Sequence, residues 1–397
     1  MAKSNREGFK TVETDFEELD EKIRKHRKTI FRRVIGIIAV LAVLAVGIGL
    51  WTALRTYDSY EIRSSVDRTD SEAVKFEEFL GNIIKYSNDG IICMDSESEY
   101  IWNRGFEMTA PKLSICEGYL AVYDQGGTNI YIMDASGTQN SIETTMPIQR
   151  VCVANQGTAA VLMKEGTASY IKLFDRKGSE LASGAFYGDQ GGFPIDIALS
   201  YDGQKLAVDM LDVTDGNVKS TIAFYNFGSV GQNEINNNVG TYSYFDMLIP
   251  EIKYVSENRM VAFGDTEIIV FDGSQKPSVY SEIFLNGEVE SVFCDDKYIG
   301  IVQNNYDEEG THHIQAFDIR GNSVMEADTA MDYDSIDFLS NHEIVVQNDY
   351  QCEIYTIHSI RKFAYTFDRE IYKVVPQGVG SDYIFIMDGT TEEVRLQ

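Results

Sequence analysis

The sequence predicts an all-β domain preceded by one transmembrane α-helix. Three observations lead to this fold class: an uncharged stretch near the N-terminus, a hairpin pattern that recurs seven times after it, and almost no helical periodicity beyond residue 80. The 397 residues include 44% hydrophobic and 12% aromatic side chains, which excludes a disordered chain. The formal net charge of -28 excludes the basic surface that nucleic-acid binding requires, so no nucleic-acid partner is expected.

The uncharged stretch covers residues 34–54, VIGIIAVLAVLAVGIGLWTAL. At about 1.5 Å per helical residue it is long enough to cross a hydrocarbon core roughly 30 Å thick. It is also longer than the apolar core of a secretory signal peptide. The basic residues that precede it are Lys22, Arg24, Lys25, Arg27, Lys28, Arg32 and Arg33, whereas mostly acidic residues follow it. Because positive charge tends to stay in the cytoplasm, we expect a single-pass cell-membrane protein with a cytoplasmic N-terminus and an extracellular C-terminal domain.

The segments on either side of this span differ in charge. Residues 1–33 hold 10 basic and 7 acidic side chains, a charge of +3, and three apolar residues at helical spacing (Phe16, Leu19 and Ile23) predict a short helix there. This tail is either a docking site for a cytosolic partner or anionic lipid, or a solvated segment that only sets topology. Residues 55–78 are expected to form a polar, partly helical extracellular stalk. The part of the chain after the span holds 24 basic and 55 acidic side chains, a charge of -31.

The rest of the chain repeats one local pattern. Two β-rich runs are separated each time by Gly, Asn, Asp or Ser, the residues that tolerate the dihedral angles of tight turns. The seven pairs are KLSICEG/YLAVYD, QRVCVANQG/TAAVLMKEG, IDIALSYDG/QKLAVDM, IKYVSEN/RMVAFGD, ESVFCDD/KYIGIVQNN, IDFLSN/HEIVVQND and YKVVPQGVG/SDYIFIMDG. A third run, such as NIYIMD or EIIVFD, and a variable fourth run follow most pairs. We therefore expect a repeated four-stranded antiparallel sheet.

Seven such units in residues 112–397 would take about 41 residues each, which is typical of a β-propeller blade. We therefore predict an extracellular β-propeller over residues 79–397, with seven blades as the first choice and eight as the alternative. The runs NIIKYSNDG, IICMDSES and EYIWNRGF are expected to be strands two to four of a blade, and the chain ends at EEVRLQ in a third strand. The two chain ends should therefore close the ring together, and a separate N-terminal blade would make eight.

A family resemblance supports the propeller. Residues 191–208, GGFPIDIALSYDGQKLAV, resemble the hallmark of an uncharacterised family (domain of unknown function) of single-pass, WD-repeat-like propeller proteins of Gram-positive bacteria. The resemblance implies fold and topology, and it implies no activity or catalytic residue. The stretch GIICMDSESEYIWN resembles a repeat of quinone-dependent alcohol dehydrogenase propellers, but the adjacent cysteine pair of that family is absent from the sequence. No quinone or other cofactor is therefore expected.

The cysteines are the first candidates for chemistry. All five, Cys93, Cys116, Cys152, Cys294 and Cys352, follow the predicted span, and none forms a Cys-x-x-Cys pair. Three of them, Cys116, Cys152 and Cys294, take the same place near the end of a first strand, where other units have Ala or Leu. We therefore expect small buried apolar thiols rather than disulfides.

Histidines and acidic loops are the candidates for metal binding. The histidines are His26, His312, His313, His342 and His358. His312 and His313 alternate along a strand, so they cannot both face one ion, and we expect solvated side chains. The acidic loops at 304–310, 332–337 and 212–217 offer the oxygen ligands that calcium prefers, but none has the 12-residue EF-hand pattern. Calcium binding and plain solvated hairpin tips both stay open, and the metal content is unknown.

One loop and four prolines have positional meaning. The four prolines, Pro111, Pro147, Pro194 and Pro250, stand just before a predicted first strand, where a fixed φ and a missing N–H are tolerated. Phe193, in the loop Gly-Gly-Phe-Pro, is expected at the rim of the ring, where it either contacts another protein or packs between blades.

Two functions from different classes remain. The first is a non-catalytic binding or scaffolding module at the cell envelope, with a protein or envelope-component partner on its outer face. The second is an envelope glycan hydrolase or lyase whose carboxylates come from several blades at the central channel. The sequence contains no G-x-S-x-G elbow, H-E-x-x-H helix or phosphate-binding glycine-rich loop, so we assign no catalytic residue and favour the binding module.

Overall fold

The computed structural model of the protein describes residues 16–69, 74–188, 191–304, 311–378 and 380–397, apart from the side chains of 16–20, 22, 29, 44–53 and 215. Two compact units divide the chain after Arg55. The first unit contains one helix, and the second, Thr56–Gln397, contains all the described strands.

Helix α1 runs without interruption from Phe16 to Ala53. It includes the short helix predicted for the basic tail and continues through nearly all of the predicted span. Glu21 and Lys25, one turn apart, form an exposed ion pair with a 2.8 Å contact. Among the residues that the structure describes, no helix combines the length and the apolar character that crossing a membrane requires.

The described strands form eight antiparallel sheets of four strands, and each sheet is one blade of a β-propeller. The first strand of the chain, β1 (Tyr60–Asp67), belongs to the last blade. Blade 1 contains β2 (Lys75–Phe79), β3 (Asn82–Ser87), β4 (Gly90–Met94) and β5 (Tyr100–Gly105), and blade 2 contains β6 (Pro111–Cys116), β7 (Tyr119–Asp124), β8 (Asn129–Asp134) and β9 (Gln139–Glu143). Blade 3 contains β10 (Ile148–Val153), β11 (Ala159–Glu165), β12 (Ala168–Phe174) and β13 (Glu180–Tyr187). Blade 4 contains β14 (Phe193–Leu199), β15 (Lys205–Asp212), β16 (Lys219–Asn226) and β17 (Asn238–Phe245). Blade 5 contains β18 (Glu251–Tyr254), β19 (Arg259–Phe263), β20 (Glu267–Asp272) and β21 (Ser278–Phe284), and blade 6 contains β22 (Val289–Cys294), β23 (Tyr298–Asn304), β24 (His312–Asp318) and β25 (Ser323–Thr329). Blade 7 contains β26 (Ser335–Phe338), β27 (Ile344–Gln347), β28 (Gln351–Thr356) and β29 (Ile360–Thr366). Blade 8 contains β30 (Ile371–Pro376), β31 (Asp382–Met387), β32 (Thr390–Leu396) and β1.

Along the chain, blades 1 to 7 each begin with the innermost strand and end with the outermost one, whereas blade 8 begins with its innermost strand, β30, and has β1 as its outermost strand. The two middle strands are buried on both faces, which explains why runs such as RMVAF in β19 are nearly continuous in apolar residues. Neighbouring blades enclose apolar clusters; between blades 4 and 5, for example, Phe224 packs against Met260 and Phe271. The core is therefore a ring of interfaces between blades, and each blade depends on both of its neighbours.

The ring closes through the two ends of the propeller. Strand β1 pairs antiparallel with β32, from Tyr60 opposite Leu396 to Asp67 opposite Thr390. Tyr60 also packs against Tyr365 and Phe385, with ring centroids 5.1 Å and 5.2 Å away. The last blade thus takes three strands from the C-terminus and its outermost strand from the N-terminal end of the domain.

The eight-bladed alternative is confirmed, and the first choice of seven blades is corrected. The N-terminal strands form a blade of their own because β2 pairs with β3 as its innermost strand. The prediction of a stalk over residues 55–78 is corrected as well, since β1 and all of β2 except Phe79 fall there. Their sequences, YEIRSSVD and KFEEF, are polar, and the partner of β1 lies more than 300 residues away, so no local hairpin pattern reveals it.

The two faces of the ring carry different turns. Because successive strands run antiparallel, the turns after the first and third strands of every blade lie on one face, and those after the second and fourth lie on the other. Thr56–Ser59 join the propeller to the preceding chain on the first of these faces, where the N–H of Ser59 donates to the carbonyl of Gln397 (3.3 Å). We call this the attachment face and the opposite one the far face.

Closure should depend on the contacts of Tyr60. Tyr100 is a matched control, because it is also the first residue of an outermost strand but is 72% exposed. Tyr60→Ala should lower the free energy of unfolding by about 2–4 kcal/mol, since an aromatic packed at a blade interface is lost. Tyr100→Ala should change it by less than about 0.5 kcal/mol. Denaturant unfolding of the two full-length variants measures both values, and equal losses would contradict a closing role for Tyr60.

Candidate functional site

The central channel is lined by the innermost strands, whose side chains alternate between the channel and the blade interfaces. One cavity of about 450 Å³ is bordered by blades 2 to 5 and includes Arg150 and Glu251. A second of about 450 Å³ is bordered by blades 7, 8 and 1 and includes Glu77 and Lys373. A smaller one of about 200 Å³, beside Lys253, lies between these two groups of blades. The channel wall is therefore charged.

Opposite charges alternate around this wall. Arg150 Nε lies 3.1 Å from Asp196 Oδ1, and its Nη2 lies 3.9 Å from Glu251 Oε1. Lys373 Nζ lies 2.7 Å from Glu77 Oε2 on the other side of the channel. The channel is thus nearly balanced in charge, unlike the strongly acidic domain as a whole.

Asp196 connects three blades. Its side chain, only 2% exposed on β14, contacts Arg150 of blade 3 and accepts a hydrogen bond from the N–H of Ile252 in blade 5 (2.9 Å). Burial raises the pKa of Asp196 to about 6, although the positive charge of Arg150 opposes this shift. Each carboxylate oxygen thus contacts a different neighbouring blade, so Asp196 has a structural role in the ring.

Asp209 is the unusual residue beside it. It lies on β15 directly opposite Asp196, and it is fully buried. Neither of its carboxylate oxygens has a hydrogen-bond partner of normal geometry among the described residues. Burial, followed by the nearby charge of Asp196, raises the pKa of Asp209 to about 8. The neutral acid is therefore the favoured form at pH 7. Asp196 lies within the sequence hallmark, residues 191–208, and Asp209 directly follows it.

The enzyme alternative requires carboxylates that converge on one substrate atom with an Arg or Tyr. Asp196 and Glu251 do converge on Arg150. Asp196, however, is buried and already occupied on both oxygens, and Glu77 is paired with Lys373. Asp196 and Glu77 are therefore charge partners of Arg150 and Lys373.

The cysteines take the positions expected of small apolar residues. Cys93, Cys116, Cys294 and Cys352 are buried, and all five described thiols are free. Cys152 is partly exposed, and its Sγ contacts the carbonyl of Ile197 at 3.1 Å. Burial raises the pKa of Cys152 to about 11, which keeps it as the unreactive thiol.

Three histidines of blades 6 and 7, His312, His313 and His342, are each paired with an acid. His312 Nδ1 contacts Glu290 and His313 Nδ1 contacts Asp328, both at 2.6 Å, so the two rings face opposite sides of β24 as predicted. His342 Nδ1 contacts Asp295 at the same distance. The expectation of merely solvated rings is thus too simple. His358 is exposed, and the side chain of His26 is exposed on α1.

The three acidic loops have different outcomes. In the loop at 304–310, residues 305–310 lie outside the described residues. In the loop at 332–337, Asp337 belongs to the channel, where burial raises its pKa against the lowering effect of Lys253 and Lys373. In the loop at 212–217, Asp212 Oδ1 accepts hydrogen bonds from the N–H and the hydroxyl of Thr214 (2.9 and 2.7 Å). Calcium binding and plain solvated hairpin tips both stay open for these loops.

The far face carries several exposed aromatic side chains. The last residues of the outermost strands of blades 3, 4 and 5 are Tyr187, Phe245 and Phe284, and the two phenylalanines are each 73% exposed. Phe193 joins them at the start of β14, where its ring also covers Gly188 of the neighbouring blade. This contact supports packing between blades, and contact with another protein stays a prediction. We call Tyr187, Phe193, Phe245 and Phe284 the aromatic rim. Sequence reasoning found only Phe193, because the variable fourth strands give no repeat signal.

Charges surround this rim. Lys219 Nζ lies 5.5 Å from the ring centre of Phe245, a distance suited to a cation–π contact. Glu267 lies opposite Phe284 in the sheet, and burial together with the neighbouring charge of Glu282 raises the pKa of Glu267. Asp246, next to Phe245, is exposed. The far face of these blades thus combines exposed aromatic rings with carboxylates that repel one another.

Comparisons with known proteins agree with the architecture. A model of a family of unknown function, DUF5711, matches residues 53–396. Among solved structures, the chain is similar to BamB from Moraxella catarrhalis, with 13% identity, a TM-score of 0.50, and coverage of 85% of this chain and 100% of that one. It is also similar to the C-terminal WD40 domain of Sif2, with 11% identity, a TM-score of 0.54, and coverage of 86% and 99%. No curated protein matches the chain. At such identities these structures show the fold alone.

The unpartnered Asp209 should make stability depend on pH. Its pKa is raised from 3.8 to about 8 on folding. Its contribution to the free energy of unfolding is therefore fully present below pH 4, where the unfolded chain is also protonated, and is lost as the pH rises to about 8. Asp209→Asn should therefore gain stability relative to the wild type between pH 5 and pH 9. Thermal unfolding across this range measures the difference between the two proteins. The exposed Asp332→Asn is the matched control, and pH profiles that stay parallel for Asp209→Asn and the wild type would contradict a buried, ionising carboxyl.

Proposed function

The chain belongs to the family of unknown function DUF5711, whose model spans the whole propeller, and we propose that it is a membrane-anchored, non-catalytic binding module of the cell envelope. The aromatic rim on the far face is the surface that binds the partner. This observation carries the proposal, because soluble domains seldom leave several large rings exposed on one face without a binding role.

The anchor in this proposal is residues 34–54. The support is the absence of charge over this stretch in the sequence, together with apolar side chains such as Ile37, Ile38 and Val43 that α1 leaves exposed. Exposed side chains of this kind on a helix are stable in hydrocarbon and costly in water. The basic residues before the stretch favour a cytoplasmic tail and an extracellular propeller.

The rim lies on the face of the propeller opposite to Ser59 and Gln397. It would bind a partner through the far face. The ion pairs of the channel acids also favour binding over the glycan hydrolase or lyase alternative.

The chemistry of the rim favours a basic protein segment as the partner. Aromatic faces attract Lys and Arg side chains, and Lys219 already uses Phe245 in this way. The adjacent carboxylates Glu267 and Glu282 repel one another, and a cation would relieve that repulsion. With a charge of -31 on the outer part of the chain, bare anionic envelope polymers would instead be repelled.

Site-specific photo-crosslinking in intact cells tests the binding role. A crosslinker at Val213, exposed on the far face, should capture a reproducible partner, whereas one at Ile235, exposed on the attachment face, should not. Capture at Val213 should fall at least about tenfold in the double variant Phe245→Ser/Phe284→Ser and at high salt, because ring contacts and charge attraction are both weakened.

Tyr100→Ser is the matched control for this experiment, because it removes an equally exposed ring from the attachment face. It should leave capture unchanged. If the double variant Phe245→Ser/Phe284→Ser still captures the partner, the binding surface lies elsewhere on the protein. Recovery of no reproducible partner, together with turnover of cell-wall fragments by the purified protein, would replace the binding module with the enzyme alternative.

Topology is tested separately. Protease added to cells stripped of their wall should digest the propeller and spare residues 1–33, because the span would shield the tail. Immunodetection of the two segments before and after permeabilisation measures this. Digestion of the tail with protection of the propeller would refute the proposed orientation.

A further inference from the structure

Two turns on the attachment face bring three ligand-type side chains together. Asp295 and Asp296 lie between the first two strands of blade 6, and His342 lies at the equivalent place in blade 7. One ligand atom from each of the three lies within 4.8 Å of the other two. His342 Nδ1 is 2.6 Å from Asp295 Oδ2 and 3.9 Å from Asp296 Oδ1.

The backbone pre-orients two of these side chains. Asp295 Oδ1 accepts hydrogen bonds from the N–H groups of Lys297 and Tyr298, both at 2.7 Å, which leaves Oδ2 directed at His342. His342 has a left-handed φ of 65°, its N–H donates to the carbonyl of Leu339 (2.8 Å), and its ring packs edge-on against Tyr298. The pair is therefore held in place by its turns before any ligand arrives.

We propose that Asp295, Asp296 and His342 bind a divalent transition-metal ion of the Zn²⁺ class, which clips blade 6 to blade 7. Zinc takes His nitrogen and carboxylate oxygen at about 2.0–2.2 Å, so tetrahedral ligand atoms lie roughly 3.3–3.5 Å apart. The observed distances of 2.6 and 3.9 Å bracket this spacing. A nitrogen ligand favours zinc or a similar metal over calcium and magnesium, which prefer oxygen. Water would complete the coordination, since Asp296 is 58% exposed.

Lys297 competes with the metal. Its Nζ lies 2.6 Å from His342 Nε2, so in the metal-free form Nε2 accepts from the ammonium group while Nδ1–H donates to Asp295. A metal on Nδ1 requires the ring proton to move to Nε2, which can then no longer accept a hydrogen bond. Lys297 must therefore turn into solvent when the metal binds. Removing its side chain should strengthen metal binding.

Calorimetric titration of the full-length protein with zinc chloride tests the site. The protein is purified without a polyhistidine tag, and calcium and magnesium chloride serve as the comparison ions. Zinc should bind with one-to-one stoichiometry and raise the thermal midpoint, because it binds the folded state alone. His342→Asn, chosen because Asn tolerates a left-handed φ, should weaken binding at least about tenfold, and Asp296→Asn should weaken it as well. Lys297→Ala should bind zinc more tightly than the wild type.

His313→Ala is the matched control, because His313 makes the same 2.6 Å contact to one acid, Asp328, but belongs to no three-ligand group among the described residues. It should leave zinc affinity unchanged. Equal affinity in wild type and His342→Asn, or a loss in His313→Ala of the same size, would overturn the proposal. Weaker binding in Lys297→Ala would contradict the competition between its ammonium group and the metal.

Discussion

The pairing of β1 with β32 is the contact on which the rest of the molecule depends. Every apolar core cluster of the described residues lies between two blades, so a blade without a complete neighbour leaves its core exposed. Blade 8 is complete only when β1 supplies its outermost strand, and Tyr60 extends the closure to the aromatic residues of blade 7. Arg68, just beyond β1, donates to the carbonyls of Met387 and Thr390 and lies 4.8 Å from the ring of Phe76 in blade 1. Contacts distant in sequence thus hold both sides of the seam.

A closed ring also explains how charge is distributed. Inside the channel, bases such as Arg150 and Lys373 offset acids from neighbouring blades, because like charges at close range in a confined space would open the ring. Outside, the acidic excess keeps the domain soluble. Asp209 departs from this scheme, since it adds a second buried carboxyl beside Asp196 with no base of its own. Because Asp209 has no counter-ion, it is neutral at pH 7, and the stability of blade 4 is expected to depend on pH.

The repeated hairpins allowed most of the fold to be predicted from sequence. Runs such as QKLAV and RMVAF are correctly predicted to be strands, because their apolar residues and the turn residues beside them are local signals in the sequence. Strands β1 and β2 are not predicted, because polar edge strands and short acidic strands lack that signal. Without them the sequence favours seven blades rather than eight. In the site, Phe193 was noticed through its Gly-Gly-Phe-Pro loop, whereas Phe245, Phe284 and His342 were not distinguished by any local pattern.

The sequence by itself determined the class of fold, the uncharged stretch before the propeller, the division of charge along the chain and the burial of cysteines such as Cys116 and Cys294. These properties follow from local periodicity and composition, which act within a few residues. Only the tertiary structure decided the number of blades, the seam between β1 and β32, the meeting of Asp196 with Asp209 and of Asp295 with His342, and the common face of the rim. Each of these joins residues from different strands or blades, and their distances arise only when the ring has closed.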